Sequence, residues 1–269
     1  MFKKSVKLII MVILSLFVFS CAVHYNLAGP EIAPPRKEMK KHAKIGFVGF
    51  LSYRSAYDGD NSRYPIVLDS SARLRFHEDV GMSTSDMKSN GFRKDISKTK
   101  IENLVNWYMA DLVQDDTKES AKKELENIIQ FPTGESQEMK LKDFGLDYYV
   151  VGKLEPGFEF SKNLGWAFIS GFNYMVTTLT LGIIPSWFEI ENNLRIAIYN
   201  KNLDKISELN IDASYSTYHA VWATPYPKEC AVYGRMHCWL KRGLNATPTF
   251  AYKNIKPVVE NEILEVINK

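Results

Sequence analysis

The chain contains three cysteines, and the residues in front of the first one, Cys21, predict a processing reaction at that point. Three lysines lie within the first seven residues, an apolar run follows over residues 8–19, and Ser20 stands directly before the cysteine. A positively charged start, an apolar run of this length and a small residue at the cut are typical of a secretory signal peptide. The run is shorter than the roughly 20 apolar residues of a membrane-spanning helix. We therefore expect residues 1–20 to be a leader that is removed on export.

The four residues Val18-Phe19-Ser20-Cys21 resemble the lipobox of bacterial lipoproteins. In that family, lipid is attached to the thiol of the cysteine and the leader is cut in front of it. The resemblance implies that Cys21 is the lipidation site and the first residue of the mature protein. Fatty chains such as palmitate would then anchor the protein in a membrane of the bacterial cell envelope, and we expect this to be the outer membrane.

The other two thiols, Cys230 and Cys238, are eight positions apart in a segment rich in turn-forming residues. Export would bring them into an oxidising compartment, where a disulfide across this short loop would stabilise the fold by about 2.5 kcal/mol on the chain-entropy account. Two free thiols are the first alternative. A metal site that also uses His219 and His237 is the second, although the spacing matches no standard zinc motif. We expect the disulfide.

Catalytic motifs are missing from the sequence. It has no Gly-x-Ser-x-Gly elbow, phosphate loop, dinucleotide fingerprint or paired-histidine metalloprotease motif. His219 falls on the inward register of a predicted strand, where a histidine is usually a hydrogen-bonded core residue. The cluster His77-Glu78-Asp79 would need a cleft around it to act as acid and base. Residues 58–62 imitate the start of a calcium loop but lack its sixth-position glycine. We expect no enzymatic activity, no cofactor and no metal ion.

The charge balance depends on the leader. The whole chain has 34 basic and 31 acidic side chains, and residues 1–20 contain three of the lysines and no acid. The mature chain is therefore formally neutral. A nucleic-acid-binding protein needs a surplus of basic charge, so we expect no nucleic-acid partner.

Beyond the cysteine, the sequence indicates a tether followed by a folded body. Residues 21–43 contain prolines and a basic run without apolar periodicity, which predicts a flexible, lipid-anchored tether. Residues 44–269 are long enough for one domain. We expect that domain to include an apolar insertion at 163–188 and a cysteine-bearing loop at 224–250.

Apolar periodicity in the body predicts both strands and helices. In chain order these are a strand at 44–50, helices at 101–112 and 121–129, a short helix closed by Gly145 with a strand after it, a hairpin from Leu194 to Trp222, and a C-terminal helix opened by Pro257. This order predicts an α+β fold with a single mixed or antiparallel sheet and helices packed on one face.

A resemblance to known envelope proteins rests on three of these elements. The strand at Ile45–Phe50, the amphipathic helix after it and the strand segment Phe144-Gly145-Leu146-Asp147-Tyr148-Tyr149-Val150-Val151-Gly152 are similar to the periplasmic α/β domains of the TolB N-terminal and curli-secretion lipoprotein type. The resemblance implies an interaction module without active-site residues. The opening Lys44–Phe50 and the Lys/Asn/Ile-rich body also resemble spirochaetal surface lipoproteins, leptospiral ones especially.

The segment 163–188 departs from an ordinary domain because it contains no charged residue. It is long enough to span a bilayer, and Trp166 and Trp187 bracket it as interfacial aromatics would. Glycines, Pro185 and threonines argue against a spanning helix. Three interpretations remain open: the segment fills the core, it contacts a membrane or partner through residues such as Phe168 and Phe172, or it inserts into the bilayer.

These observations together predict a non-enzymatic, lipid-anchored interaction or structural protein of the outer membrane or periplasm. Its expected partners are membrane lipid, through acylated Cys21, and an envelope or host protein. Two alternatives are a surface adhesin that binds a host factor and a membrane-associating assembly subunit that uses 163–188.

Overall fold

The structure is a computed structural model that describes residues 22–40, 42–55, 66–112, 114–132, 138–154, 164–224 and 252–269. In chain order its elements are β1 (Ala22–Asn26), β2 (Ile45–Gly49), β3 (Leu51–Ser55), β4 (Ile66–Arg73), β5 (Met82–Ser83), a 3₁₀ turn (Thr84–Asp86), α1 (Lys98–Met109), α2 (Asp115–Leu125), β6 (Ile129–Gln130), β7 (Lys140–Leu141), β8 (Tyr148–Leu154), α3 (Leu164–Leu179), β9 (Ser186–Ile190), β10 (Asn193–Asn200), β11 (Lys205–Asp212), β12 (Tyr215–Ala220) and α4 (Lys256–Ile267).

The chain forms two compact units. The smaller unit is built from three segments, Met1–Leu27, Phe158–Glu191 and Ser214–Gly243. The larger unit takes the other three, Ala28–Gly157, Asn192–Ala213 and Leu244–Lys269. The α+β class is confirmed. The described strands, however, form four sheets, whereas the sequence analysis predicts a single one.

The main sheet of the larger unit has five strands in the order β11-β10-β8-β2-β5. Strands β2 and β8 run parallel at its centre, and β10 and β11 continue it as an antiparallel hairpin. Val48 and Val151 face a core shared with α1 and α2. Phe47 and Val150, on the alternate register, are buried as well. Both faces of the central strands are therefore covered, which explains their continuous apolar runs.

Three of the four predicted helices of this unit are present, with shifted ends. Helix α1 buries Ile101, Leu104 and Tyr108, which recur at helical spacing. Helix α2 ends at Leu125, and Ile129–Gln130 pairs instead with β7. The short helix predicted before Gly145 is replaced by β7 and a loop. Helix α4 has a proline in its first turn, as predicted, and buries Val259, Ile263 and Ile267 among others.

The predicted hairpin from Leu194 to Trp222 forms only in part. Strands β10 and β11 pair up to Asp212, but β12 joins a different sheet, between β1 and β9 of the smaller unit. The chain leaves the first sheet at Ala213, whose N–H donates to the Asn192 carbonyl at 2.9 Å. An alternating pattern marks a strand but carries no information on its partner, so the pattern could not reveal this change of sheet.

The range predicted as a tether, 21–43, makes defined contacts, which differs from that expectation. Its first described residues form β1. Further along, Asn261 of α4 accepts the Lys37 N–H at 2.7 Å and donates to the Pro35 carbonyl at 3.1 Å. Asn268, two helical turns later, binds the chain at 38–40 in the same way. The side-chain amides of Asn261 and Asn268 thus bind the backbone of this segment as a neighbouring strand would. The composition of the segment does not predict these contacts.

Candidate interaction surface

The charge-free segment forms helix α3 and a tight turn. The helix ends in a Schellman motif, in which the N–H of Gly182 donates to the Thr177 carbonyl at 2.7 Å and that of Leu181 to the Thr178 carbonyl at 3.1 Å. Leu181 has φ 52°, at the position where glycine is usual. The residues that follow the turn enter β9, so the helix folds back on the sheet of the smaller unit.

Asn173 attaches α3 to β9. Its Nδ2 donates to the Pro185 carbonyl at 3.2 Å, and its Oδ1 accepts the backbone N–H of Trp187 at 2.9 Å. One turn later, Thr177 is buried and donates its hydroxyl to the Asn173 carbonyl at 2.9 Å. The polar side of this helix therefore faces inward, where its groups are satisfied by the protein.

The opposite side of α3 is apolar and exposed. Phe168, Phe172, Met175 and Leu179 recur at i, i+4, i+7 and i+11, which aligns them in one stripe. They are 79%, 58%, 50% and 75% exposed. The exposed apolar side chains continue along the turn and to the residues just after β12, with Leu181, Ile183, Ile184 and Trp222. We refer to these eight residues as the apolar surface.

The core interpretation of 163–188 is wrong for this stripe. Soluble proteins rarely expose large contiguous apolar patches without a function, so the surface is the principal candidate site among the described residues.

The N–H groups and threonine hydroxyls along the apolar surface are bonded inside the protein. The hydroxyls of Thr178 and Thr180 donate to the carbonyls four residues earlier, each at 2.9 Å. Every backbone N–H from Thr180 to Ile184 has an acceptor within the helix or turn. The Trp222 indole N–H donates to the Ile183 carbonyl at 2.8 Å. These groups do not require water.

The sheet register places this surface relative to Cys21. Strand β12 pairs with β1 on one side and β9 on the other, so that Ala22 lies opposite Ala220 and His219 opposite Ser186. The residues just beyond this end of the sheet are Trp222 on one strand and the Leu181–Ile184 turn on another, joined by a hydrogen bond from the Val221 N–H to the Gly182 carbonyl at 3.0 Å.

Cys21 itself lies outside the described residues, and Ala22 is the residue directly after it in the sequence. Ala22 and the apolar turn belong to the same end of one sheet. Charged residues lie toward the other end, where Glu189 pairs with Ser216 and Glu191 follows.

An aromatic row crosses the same sheet. Trp187 stacks on Tyr218 with ring centroids 6.1 Å apart, and His24 meets Tyr218 edge-on at 6.5 Å. On the other face, His219 is buried against Phe188 with centroids 5.6 Å apart. His219 Nε2 and the Ser186 hydroxyl have no hydrogen-bond partner among the described residues. The inward position predicted for His219 is thus confirmed.

The structure brings together some of the sequence-predicted site residues and leaves others aside. Phe168 and Phe172 share the stripe, and Trp187 is 41% exposed on β9. Trp166 belongs to the first turn of α3, and its side chain is outside what is described. Cys230 and Cys238, with all but the first residue of the predicted 224–250 loop, lie outside the described residues too.

Sequence reasoning did not pick out Met175, Leu179, Leu181, Ile183 and Ile184 as contact residues. The first two were visible as a helical repeat with Phe168 and Phe172. Trp222 joins the surface only through strand pairing.

The polar cluster at His77–Asp79 has structural partners. His77 Nδ1 lies 2.8 Å from both carboxylate oxygens of Glu260, whose side chain is 1% exposed, and the His77 N–H also donates to Glu260. Asp79 pairs with Arg36, which lowers the pKa of the Asp79 carboxyl. Within the described ranges, no three His, Cys, Asp or Glu side chains come together to hold a metal ion.

None of the helices in the described ranges combines the length and apolar character needed to cross a bilayer. Comparison with known proteins gives no match to any family, curated protein or solved structure.

Proposed function

We propose that this chain is a lipoprotein of the bacterial outer membrane, cut in front of Cys21, acylated there and acting through binding rather than catalysis. The leader pattern supports export, and the lipobox-like residues support the acylation. The observation that carries the proposal is the strand register, because it places the residue after Cys21 at the end of the sheet that bears the exposed turn Leu181–Ile184.

The interaction role is supported by how the titratable groups of the larger unit are used. Glu124 accepts two hydrogen bonds from the Arg73 guanidinium. Glu260 accepts the backbone N–H of His77 and also lies 2.8 Å from the Nδ1 of its ring. These side chains hold segments of the fold together. The apolar surface is exposed among the described residues, and exposed apolar surfaces bind lipid or other proteins.

Metabolic labelling with palmitate tests the proposal. Cells that express the wild-type chain should yield a labelled protein that begins at residue 21, and the Cys21→Ser variant should be unlabelled. Cys230→Ser and Cys238→Ser are matched controls, since each removes a thiol from the same chain, and both should keep the label. An unlabelled wild-type protein, or a leader that is still attached after export, would contradict the proposal.

A further inference from the structure

We propose that the apolar surface inserts into the same membrane leaflet that holds the acyl chains, so that the smaller unit is attached to the bilayer at two points. Helix α3 would lie in the plane of the interface, with its stripe toward the hydrocarbon. The choice of lipid as the occupant rests on the proposed function, because it follows from the position of Cys21.

The composition of the surface suits lipid. Phenylalanine, leucine, isoleucine, methionine and tryptophan side chains make up the surface, and no charged residue occurs in 163–188. An ordinary interfacial helix keeps a charged face in water. In α3 that face is replaced by Asn173, which binds the backbone of β9, and by Thr177, whose hydroxyl donates to the Asn173 carbonyl, so the helix can enter the interface without carrying a charge into the membrane.

The hydrogen bonding of the surface is compatible with lipid. A bilayer core offers no donors or acceptors, so each unsatisfied polar group placed in it costs several kcal/mol. Thr178 is exposed, yet its hydroxyl already donates to the Tyr174 carbonyl. The N–H groups of the Leu181–Ile184 turn and the Trp222 indole are satisfied in the same way.

The geometry allows both attachments to act at once. The apolar turn and the peptide bond to Cys21 share one end of the sheet, while Glu189 and Glu191 lie toward the other. The stripe from Phe168 to Leu179 extends about 16 Å along the helix, at about 1.5 Å per residue. Two attachments on one small unit strengthen each other, because the first one raises the local concentration of the second.

The test removes the acyl chains and keeps the surface. Residues 21–269, the mature protein under the proposed function, are produced with Cys21→Ser and floated with vesicles of phosphatidylethanolamine and phosphatidylglycerol. We expect this protein to float with the vesicles. We also expect it to stay bound in high salt and to bind phosphatidylcholine vesicles equally, since the surface has no charge.

Two substitutions in the stripe, Phe172→Asp and Leu179→Asp in the same chain, should lower the vesicle partition coefficient at least about tenfold, because aspartate is costly in the bilayer. Ile206→Asp is the matched control. Ile206 is 50% exposed on β11 of the larger unit, so its substitution places an aspartate on an exposed apolar position outside the apolar surface and should leave binding unchanged. Circular dichroism of each variant checks that the protein is folded.

A second measurement needs no substitution in the surface. In the acylated wild-type protein, brominated phospholipids should quench the tryptophan fluorescence, and the Trp222→Phe variant should lose a large part of that quenching. Absence of quenching would overturn the inference.

Other outcomes are equally decisive. If the Cys21→Ser protein does not float, or if the stripe variant floats as well as its parent, the inference is wrong. If the Cys21→Ser protein forms a dimer that the stripe substitutions dissolve, and does not float, the occupant is a second copy of the chain. If the Cys21→Ser protein floats but palmitate fails to label the wild type, the proposed function is wrong, whereas the binding of the apolar surface to lipid is supported.

Discussion

The two units treat charge and apolar surface in opposite ways. In the larger unit, the side chains of Arg73 and Glu124 are 7% and 3% exposed and lie within the fold. The guanidinium donates to both carboxylate oxygens at 2.7 and 2.8 Å, and the Gly49 N–H and Asn127 side chain complete the acceptor's bonds at 2.9 and 3.1 Å. In the smaller unit, Phe168 and Leu179 face outward and are more than two-thirds exposed.

The difference can be explained by the energetic cost of each arrangement in water. A buried ion pair costs desolvation and is tolerated when hydrogen bonds saturate both partners, as they do around Glu124. An exposed apolar stripe forfeits about 25 cal/mol for each Å² that stays in water. The larger unit therefore keeps its buried charges paired and hydrogen-bonded. The smaller unit exposes an apolar stripe whose removal from water would be favourable.

The largest effect is expected from breaking the buried pair. Glu124→Gln removes the negative charge and leaves Arg73 buried without its counter-charge, which should lower the free energy of unfolding by about 3–5 kcal/mol. Glu119→Gln is the control, because the Glu119–Lys123 pair on the same helix is more than two-thirds exposed and is worth little. Urea unfolding followed by circular dichroism measures both. Equal losses for the two variants would show that burial of the pair does not matter.

Two leucines in helices provide a direct test of the contrast. Leu104 on α1 is fully buried and Leu179 on α3 is 75% exposed. Leu104→Ala should cost about 2–5 kcal/mol, as cavity-forming substitutions do. Leu179→Ala should change the unfolding free energy by less than about 0.5 kcal/mol and should still weaken vesicle binding. A large stability loss for Leu179→Ala would mean that the stripe is part of a core.

Two glycines repeat the comparison at the backbone. A Cβ on Gly152 of β8 would overlap the ring of Phe50, which is 1% exposed, so Gly152→Ala should destabilise the fold by about 1–3 kcal/mol. A Cβ on Gly171 of α3 would have no atom within 4 Å. Gly171→Ala should therefore stabilise α3 by about 0.5–1 kcal/mol. Thermal melting should give a lower melting temperature for Gly152→Ala and a higher one for Gly171→Ala. A lower melting temperature for Gly171→Ala would show that a neighbour contacts the stripe side of α3.

The smallest effect is expected from two buried tyrosines of the larger unit, because it appears only at alkaline pH. Burial raises the pKa of Tyr149 and of Tyr199 to about 12, against about 10 in an unfolded chain. Between pH 10 and pH 12 the unfolded chain releases tyrosine protons that the folded chain retains. The titration of these tyrosines therefore leaves the free energy of unfolding unchanged below about pH 10 and lowers it as the pH approaches 12. Tyr199→Phe should reduce that fall. Urea unfolding at a series of alkaline pH values would contradict this if the free energy stayed constant.

Part of the fold could be predicted because its signals are local. Helix α1 repeats Ile101, Leu104 and Tyr108 on one face, and β2 is a short apolar run. Partners distant along the chain could not be predicted. Glu124 and Arg73 are 51 residues apart, and Glu260 and His77 are 183 apart. No spacing rule links such residues, because only the folded chain brings them together.

The sequence by itself determined the leader-like pattern in front of Cys21, the equal numbers of acidic and basic side chains in residues 21–269 and the α+β class. It also determined that 163–188 is free of charge. These properties depend on composition and on neighbours within a few turns, and folding does not alter them.

Only the tertiary structure decided which way the charge-free segment faces and which sheet β12 joins. An apolar run has the same composition whether it is buried or exposed, and its direction depends on what the rest of the chain packs against it. The pairing of β12 with β1 and β9 placed Trp222, the Leu181–Ile184 turn and the residue after Cys21 at one end of a sheet. That pairing is a contact between three distant segments, and no single segment encodes it.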